Sequence, residues 1–351
     1  MRIKSKLKEY NVEITSTVLE KKDSIFKHFT YNRLFYFIDS NVSNLYEKQL
    51  KQFIGNDFVL TIEALEKNKE YLNLAQYYQF LIENGFTRKD ILITIGGGIL
   101  QDISGFIAST LYRGLRWFFL PTTLLSQADS CIGSKTSVNF GDSKNLIGSF
   151  YPPDNIFIDP VFCKTLTDEY FNSGLGEIIK FHLMSNTIGY ETLTKYLSSS
   201  NLRDNLLLKS IIHSTLEIKK SYFESDEFDT GRRNLLNYGH CFGHALESAS
   251  NFAVCHGEAV LLGMGIANLL SFKRGIMTEE KHKELENILR KYYPEFDLDS
   301  IPVHDIIKYM KRDKKRVGKD LTMILCMDIG NQIKCDNIKE IEIKETIKEF
   351  L

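Results

Sequence analysis

The sequence predicts an α/β domain built on a parallel sheet, followed by a mainly α-helical domain. Residues 34–120 alternate short apolar runs with segments of helical periodicity, as β-α-β units do. After Pro160 the next proline is Pro294, and helical spacing dominates the sequence between them. The length of 351 residues suits two domains. We therefore predict an α/β domain over residues 1–164 and a mainly helical domain over residues 165–351.

The predicted strands of the first domain are apolar throughout, as strands buried on both faces are. One predicted helix ends at Gly85, a residue that readily takes the left-handed conformation found after helix ends. Near the end of the chain we also predict a strand and a charged helix. The predicted strands cover residues 34–38, 58–62, 91–95, 117–120 and 321–326, and the predicted helices cover residues 72–84, 104–111 and 338–350.

Charge and composition exclude several kinds of partner. Lys and Arg total 44 against 45 Asp and Glu, so the molecule as a whole is not a polyanion binder. The basic run from Lys311 to Arg316 is typical of a solvated surface, because it lacks the interleaved aromatic residues of a nucleic-acid site. No stretch of about 18 apolar residues indicates a membrane span. We expect no nucleic-acid or membrane partner.

Cysteine usage and the N-terminus favour a cytoplasmic protein. The six cysteines are scattered, without a CxxC pair or a short-range framework, which is typical of reduced thiols. Residues 1–6 lack the apolar core of a signal peptide.

A glycine run follows the predicted strand that ends at Ile95. Gly96-Gly97-Gly98 would let the backbone approach a pyrophosphate, and the helix after it would offer unpaired N–H groups. The run lacks the GxGxxG spacing, so a simple tight turn is the alternative. Asp39, just past the first of these strands, could bind a ribose hydroxyl or could cap a helix.

Three histidines suggest a metal site in the second domain. His240 and His244 are four residues apart and would share a helix face, and His256 follows. Glu177 and Lys180 would likewise share a face. Imidazole and carboxylate ligands suit Zn²⁺. A lone histidine is more often a hydrogen-bonded structural residue, and the spacing leaves open which of the three would be ligands.

Six cations lie among glycines, asparagines and apolar residues rather than in solvated charge runs. Burying a cation without a partner is costly, so each is expected to have an anionic partner. That partner could be a phosphate or carboxylate of a substrate, or an acidic side chain such as Asp102, Asp129 or Asp226. The six are Arg113, Lys135, Lys144, Lys180, Lys219 and Arg233.

A series of short motifs runs through most of the chain. They are Gly96-Gly97-Gly98 with Asp102, Tyr112-Arg113-Gly114, Pro121-Thr122-Thr123-Leu124-Leu125, Asp129-Ser130, Lys135-Thr136, Lys144-Asn145-Leu146-Ile147-Gly148, Gly176-Glu177-Ile178-Ile179-Lys180, Asn234-Leu235-Leu236-Asn237, Gly239-His240, Gly243-His244 and His256-Gly257-Glu258. Together they resemble the 3-dehydroquinate synthase family of sugar phosphate cyclases, over about Asp39 to Gly330.

The resemblance implies a Rossmann-like NAD-binding domain followed by a metal-binding helical domain. It implies that Glu177, His240 and His256 bind Zn²⁺ or Co²⁺, and that His244 faces the substrate instead of pairing with His240. The NAD-binding positions would be Asp39, Asn41, Glu66, Lys69, Gly97, Gly98, Asp102, Thr122, Thr123, Asp129, Ser130, Lys144, Thr165 and Leu166.

The resemblance also assigns substrate-binding and catalytic residues. Arg113 would reach phosphate across the interface of a homodimer, and Lys315 or its neighbour Lys314 would close the pocket. The substrate-binding residues would be Arg113, Asp129, Lys135, Asn145, Lys180, Lys219, Asp229, Arg233, Asn237, His244 and Lys315. The catalytic residues among them would be Lys135, Lys180, Lys219, Arg233, Asn237 and His244.

The implied reaction converts 3-deoxy-D-arabino-heptulosonate 7-phosphate to 3-dehydroquinate and phosphate, in the shikimate pathway of aromatic amino acid biosynthesis. It proceeds by transient oxidation by NAD, phosphate elimination, re-reduction and intramolecular aldol closure, so the enzyme is a carbon–oxygen lyase. Alternatives are a cyclase acting on another ketose phosphate, a metal-dependent polyol dehydrogenase, and a non-enzymatic protein that retains the two binding sites.

Three departures from the family pattern bear on these alternatives. Gln101 and Ser134 stand where the synthases usually have glycine, and Asp229 stands where they have glutamate. None of them removes a proposed ligand or a phosphate-binding cation. The retained Lys219, Arg233 and Asn237 bind the carboxylate end of the substrate in the synthases, which favours the heptulosonate.

Overall fold

The computed structural model of the protein describes residues 1–141, 143–312, 316–317 and 320–351. The chain forms two compact units. The first unit comprises residues 1–166 and 203–216, and the second comprises residues 167–202 and 217–351. The boundary between residues 164 and 165 drawn from the sequence stays a prediction.

The first unit contains a seven-stranded sheet in the order β1-β2-β9-β6-β5-β3-β4. Its neighbouring strands pair in parallel except β1 and β2, and β7 and β8 form a separate antiparallel hairpin. The strands are β1 (Arg2–Ile3), β2 (Tyr10–Ile14), β3 (Leu34–Asp39), β4 (Phe58–Ile62), β5 (Ile91–Gly96), β6 (Trp117–Pro121), β7 (Lys135–Phe140), β8 (Ser143–Phe150) and β9 (Asn155–Ile158).

The four strands predicted in this unit are present, but β4 differs in burial. β3, β5 and β6 are buried along their whole length, as their unbroken apolar runs predict. β4 is an edge strand with alternating exposure, and the side chain of Val59 is 36% exposed. An apolar run therefore does not distinguish a central strand from an edge strand.

Among its described residues, the first unit also carries five complete α-helices and the first part of a helix that begins at Asn205. The predicted helix over 72–84 is a 3-10 turn at Tyr71–Leu74 that continues as α4, and the helix predicted from residue 104 begins earlier, at Gly98. Glycines are poor helix formers, which concealed that start in the sequence. The helices are α1 (Lys22–Phe26), α2 (Ser40–Leu45), α3 (Glu47–Ile54), α4 (Ala75–Glu83) and α5 (Gly98–Thr110).

The second unit is mainly helical with one small antiparallel sheet, and α8 continues into it from the first unit. No described helix is both long and apolar enough to cross a membrane. The elements are α6 (Asp168–Leu183), α7 (Thr187–Leu197), α8 (Asn205–Ser225), α9 (His240–Ala249), α10 (His256–Lys273), α11 (Glu279–Leu289), α12 (Val303–Arg312), β10 (Arg316–Val317), β11 (Asp320–Asp328), β12 (Asn331–Ile338) and α13 (Glu340–Phe350).

The predicted fold class is confirmed, with its parallel sheet first and its helices second. The strand predicted over 321–326 lies within β11. The final helix starts at Glu340 rather than at residue 338, because Ile338 still pairs in β12.

Helix α10 organises the second unit. It is buried from Gly257 to Ser271 and apolar on every side, as a core helix is. It packs against α6 and α9 at a backbone separation that only glycine permits. A Cβ added at Gly257 would lie 1.7 Å from the carbonyl oxygen of Ser173 on α6, and one at Gly263 would lie 2.0 Å from that of Gly239, just before α9. These contacts bring together the helices that carry the predicted metal ligands.

Candidate active site

In the second unit, the predicted metal ligands converge from three helices. Glu177 is on α6, His240 is the first residue of α9, and His256 is the first residue of α10. The Oε1 atom of Glu177 lies 3.4 Å from Nε2 of His240 and 3.3 Å from Nε2 of His256. Residues far apart in sequence thus present one carboxylate and two imidazole nitrogens to a common point.

His244 also belongs to this cluster. One ligand atom from each of His240, His244 and His256 lies within 4.8 Å of the other two. The geometry therefore permits either a three-histidine set or the set of Glu177, His240 and His256. The exposure of the side chains differs: Glu177 is fully buried, whereas His244 is the exposed member of the three histidines.

The Nδ1 atoms of His240 and His256 are occupied by acceptors. Nδ1 of His240 is 3.2 Å from the carbonyl oxygen of Tyr238, and Nδ1 of His256 is 3.3 Å from Oε2 of Glu247. In both rings this leaves Nε2 toward Glu177. Ring nitrogens fixed in this way are typical of metal-binding histidines, whose second nitrogen donates to a nearby acceptor.

Glu177 is a buried carboxylate whose charge is retained. Burial alone would raise its pKa, but the Lys180 ammonium, with Nζ 2.5 Å from Oε2, and the His256 ring lower it to about 2. Neither of its oxygens has a well-formed hydrogen bond within the described part of the chain. A buried anion of this kind, beside two imidazole nitrogens, fits a divalent cation.

The two histidines respond in opposite directions to this environment. Burial and the positive charge of Lys180 hold the pKa of His240 well below its usual value. Burial acts the same way on His256, but the neighbouring carboxylates of Glu177 and Glu247 raise its pKa to about 10. A metal ion bound here would have to displace the proton from His256, because only a neutral imidazole is a ligand.

Buried cations lie in the same unit as this cluster. The ammonium groups of Lys180 and Lys219 lie over the ring of Phe181, at 4.5 Å and 5.9 Å from its centroid. Both lysines are almost fully buried. Phe181 was not identified from the sequence, and its only signal there was its position beside Lys180. The arrangement places two positive charges near one aromatic ring, where they can bind an anionic group.

Arg233 is held by a structured turn after α8. Its backbone N–H donates to Oδ2 of Asp226 at 3.0 Å, its Nη1 donates to the carbonyl oxygen of Glu227, and its guanidinium lies 5.3 Å from the ring centroid of Phe223. Asp226 also accepts the backbone N–H groups of Thr230 and Gly231. Asp226, which the sequence suggested as a charge partner for a cation, therefore stabilises the turn by accepting hydrogen bonds from backbone N–H groups.

Two further predicted residues of the second unit, Asp229 and Asn237, lie in or close to this turn. Asn234 donates from Nδ2 to the carbonyl oxygen of Asp229, and Asn237 donates from Nδ2 to the carbonyl oxygen of Asn234. Asp229 has a positive φ of 59°. Lys314 and Lys315 lie outside the described residues, so their prediction has no structural counterpart.

In the first unit, the glycine run joins β5 directly to the N-terminus of α5. Gly96 ends β5 and Gly98 is the first residue of α5. A Cβ added at Gly98 would meet no atom within 4 Å, whereas one at Gly97 would lie 3.0 Å from the methyl group of Thr123. The backbone N–H of Thr122 donates to the carbonyl oxygen of Gly96. Open space above a helix N-terminus fits the diphosphate of a dinucleotide.

A polar network forms beside this helix. Nζ of Lys69 lies 2.5 Å from Oδ2 of Asp102 and 2.6 Å from Oδ1 of Asn145. The backbone N–H of Ser137 donates to Asp102, and Asn139 donates to Oε1 of Glu66. Asn145, which the resemblance assigns to the substrate, thus contacts residues that it assigns to NAD.

Other predicted NAD residues have structural partners of their own. Oδ1 of Asp39 accepts hydrogen bonds from the N–H groups of Asn41 and Val42. This carboxylate therefore caps α2, which is the second of the two roles that the sequence suggested for it. The hydroxyl of Thr165 lies 3.1 Å from that of Tyr46, and the carbonyl oxygen of Leu166 accepts from Arg203.

Gln101, one of the departures from the family pattern, makes two hydrogen bonds with Ser130. Its Nε2 donates to the carbonyl oxygen of Ser130 at 2.7 Å, and its Oε1 accepts from the Ser130 hydroxyl at 2.6 Å. Ser130 ends the π-helical turn Ser126–Ser130, which includes Asp129. A residue that is glycine in the synthases therefore holds this turn in place here.

Three predicted cations of the first unit are exposed. Lys135 begins β7 and Lys144 lies in β8. Arg113 ends a short turn in which Tyr112 and Arg113 both have positive φ, at 51° and 62°. Ser134, the other residue that stands where the resemblance would place glycine, has a positive φ of 62°, a backbone conformation that favours glycine.

An α/β unit with an open helix N-terminus beside a polar network, and a helical unit with a buried carboxylate–imidazole cluster, suit an enzyme that uses a dinucleotide and a divalent metal ion. The family model for the 3-dehydroquinate synthase N-terminal domain matches residues 59–173, and the model for the C-terminal domain matches residues 174–316. The chain therefore belongs to the 3-dehydroquinate synthase family.

Individual relatives agree with this assignment. The chain is 37% identical over 329 residues to the 3-dehydroquinate synthase of Clostridium acetobutylicum, covering 92% of this chain and 91% of that protein. Among solved structures, it is similar to 2-deoxy-scyllo-inosose synthase complexed with carbaglucose-6-phosphate, NAD⁺ and Co²⁺, with a TM-score of 0.92, 25% identity, and coverage of 100% of this chain and 99% of that one.

A second solved structure is the 2-epi-5-epi-valiolone synthase of Streptomyces hygroscopicus with NAD⁺ and Zn²⁺ bound. Its TM-score is 0.86 at 25% identity, and the match covers 99% of this chain and 98% of that one.

Proposed function

We propose that the protein is a 3-dehydroquinate synthase, which converts 3-deoxy-D-arabino-heptulosonate 7-phosphate to 3-dehydroquinate and phosphate. The observation that carries the proposal is the buried Glu177 carboxylate beside His240 and His256, in a chain of this family that also retains its anion-binding cations. The enzyme is then a carbon–oxygen lyase acting in the cytoplasm, in the biosynthesis of aromatic amino acids.

Two groups would be held by the chain's own residues. Glu177, His240 and His256 would bind Zn²⁺ or Co²⁺, since their Oε1 and Nε2 atoms already converge. Gly97 and Gly98 would admit the diphosphate of NAD, with the first-unit residues listed by the resemblance around it. When bound, NAD accepts and returns a hydride and the divalent metal acidifies a substrate hydroxyl.

The cations of the second unit give specificity for a substrate with a carboxylate. Lys219, Arg233 and Asn237 would bind the carboxylate end of the heptulosonate, and the burial of the two cations strengthens that interaction. Arg233 is pre-oriented, because Asp226 and Glu227 hold its backbone and its guanidinium. A cyclase for a neutral ketose would have less need of this trio, and the preference for the carboxylated sugar follows.

His244 and Lys180 are placed for proton and charge handling. His244 is exposed while its ring centroid lies 5.2 Å from that of His240 and 5.5 Å from that of His256, so it can reach a substrate oxygen beside the ligand cluster. It would move a proton at that oxygen. Lys180 is tied to Glu177, and its ammonium would stabilise negative charge that develops on the substrate.

Arg113, Lys135, Asn145 and Asp129 of the first unit would complete substrate binding. Arg113 is exposed and lies at the end of a turn with left-handed backbone conformation. We propose that it reaches the phosphate site of a second copy in a homodimer. Loss of phosphate affinity in Arg113→Ala, rescued by mixing with a protomer that has Arg113 but an inactive site, would test that role.

One assay tests the function. The purified protein is incubated with the heptulosonate 7-phosphate, catalytic NAD and Zn²⁺ or Co²⁺, and both phosphate release and net NADH are followed. We expect phosphate release without NADH accumulation, and no reaction of sedoheptulose 7-phosphate. Reaction of only the non-carboxylated sugar would make this chain a different cyclase, and stoichiometric NADH would make it a polyol dehydrogenase.

A further inference from the structure

The two histidines that would bind the metal differ in the group behind them. Nδ1 of His240 faces the neutral carbonyl oxygen of Tyr238, but Nδ1 of His256 faces Oε2 of the Glu247 carboxylate at 3.3 Å. An ionised carboxylate can only accept hydrogen bonds, so the shared proton is on Nδ1 of His256. Its Nε2 lies 3.3 Å from Oε1 of Glu177, and a metal ion that displaces the proton of Nε2 would leave the lone pair on that nitrogen as the ligand.

Glu247 lies on the same helix as two of the histidines. His240, His244 and Glu247 are residues i, i+4 and i+7 of α9, so their side chains share one face of that helix. The Glu247 side chain is 22% exposed and the His256 side chain 29% exposed, so the pair is partly shielded from water. The helical spacing of these three residues is the signal for Glu247 in the sequence.

Charge in the ligand cluster makes this second carboxylate useful. The Glu177 carboxylate is tied to the Lys180 ammonium at 2.5 Å, which offsets the negative charge that Glu177 would offer to a metal ion. A carboxylate behind His256 supplies negative charge to the imidazole. Because it accepts a hydrogen bond from Nδ1–H, it makes the lone pair of Nε2 a stronger metal ligand.

We propose that Glu247 is a positioning residue of the metal site, which fixes the tautomer and ring orientation of His256 and strengthens Nε2 as a ligand. The inference rests on the proposed function, since it takes Glu177, His240 and His256 as the ligands. It assigns no contact with substrate to Glu247, whose effect on the reaction passes through His256.

The test measures metal binding without turnover. Apo-protein of the wild type, Glu247→Gln and Glu247→Ala is titrated with Zn²⁺ against a chromophoric chelator, and visible spectra of the Co²⁺-loaded proteins are recorded. Loss of a partner of a metal-binding histidine typically costs about 10- to 100-fold in metal affinity, and we expect this for Glu247→Ala. Glu247→Gln keeps an acceptor of the same shape without its charge, so its loss should be smaller, and both variants should have altered Co²⁺ bands.

The control is Glu280→Gln, which removes one negative charge from the exposed first turn of α11. It should bind Zn²⁺ like the wild type, and the melting temperatures of the apo-proteins should show that all variants fold. If Glu247→Ala does not fold, the affinity of Glu247→Gln decides. Wild-type affinity and wild-type Co²⁺ bands in the Glu247 variants would overturn the inference. Failure of the wild type to bind metal would instead overturn the metal site of the proposed function.

Discussion

The two candidate sites differ in the parts of the chain that form them: backbone in the first unit and side chains in the second. In the first unit, the cradle consists of backbone, from two glycines and the start of α5, and beside it lies a network of polar side chains that bind one another. In the second unit, the cluster consists of side chains carried on three helices, with a buried carboxylate and buried cations. Glycine serves both sites, but in the first it leaves space for a ligand and in the second it removes space between helices.

This difference explains how clearly each site appears in the sequence. A site made of side chains leaves its candidate ligands in the sequence, as Glu177 and the three histidines do, although their spacing does not say which of them bind. A site made of backbone leaves only small residues, and Gly96-Gly97-Gly98 without the GxGxxG spacing was equally compatible with a tight turn. The comparison predicts that substitutions in the two units will separate metal binding from NAD binding.

The largest expected effect is that of His256→Ala. We expect loss of metal retention together with a fall in turnover of about 1000-fold or more, because both the ligand and its bound ion are removed. Metal analysis after gel filtration and phosphate release would be measured together. Full metal occupancy in this variant would remove His256 from the ligand set.

The matched variant is His244→Ala, which decides between the two ligand sets that the geometry permits. If Glu177, His240 and His256 bind the metal, His244→Ala retains the ion while turnover falls. Loss of the ion in His244→Ala would favour the three-histidine set instead.

The next effect is on stability, from Gly257→Ala. The added Cβ would lie 1.7 Å from the carbonyl oxygen of Ser173, and α6 and α10 would have to separate. We expect a loss of about 3 kcal/mol in the free energy of unfolding, in line with overpacked cores, together with weaker metal binding. Urea denaturation with a zinc titration measures both. Wild-type stability would show that the helices are not in such close contact.

The sequence predicted these contacts poorly, although it predicted the elements well. Buried strands such as β3 and β5 follow from unbroken apolar runs, whereas α9 was indicated only by the four-residue spacing of His240 and His244. The hairpin of β7 and β8 was missed because its residues are polar and exposed in large part. Contacts such as Gln101 with Ser130, or Glu247 with His256, depend on side-chain positions that periodicity does not specify.

A smaller effect is expected from Gly98→Ala, the matched glycine substitution in the first unit. Its Cβ would meet no protein atom within 4 Å, so stability should be unchanged or slightly raised by the better helix former. A methyl group where the diphosphate approaches should weaken NAD binding by about tenfold. Calorimetric titration with NAD measures this, and the zinc affinity of the same variant should be unchanged. Wild-type NAD affinity would mean that the diphosphate does not approach Gly98.

The smallest effect is expected from Gln101→Ala, which removes the two hydrogen bonds that hold Ser130. Each such bond contributes about 1 kcal/mol net, and relaxation of the turn recovers part of it, so we expect a loss of about 1 kcal/mol in the free energy of unfolding. The control is Gln79→Ala on the exposed surface of α4, where one contact with Glu83 is lost and little change is expected. Because the turn after β6 also carries Asp129, NAD affinity should fall with stability in Gln101→Ala while zinc affinity does not. A fall in zinc affinity as large as the fall in NAD affinity would contradict the prediction that substitutions in the two units affect metal binding and NAD binding separately. The Gln101–Ser130 contact in the first unit would then also affect metal binding in the second.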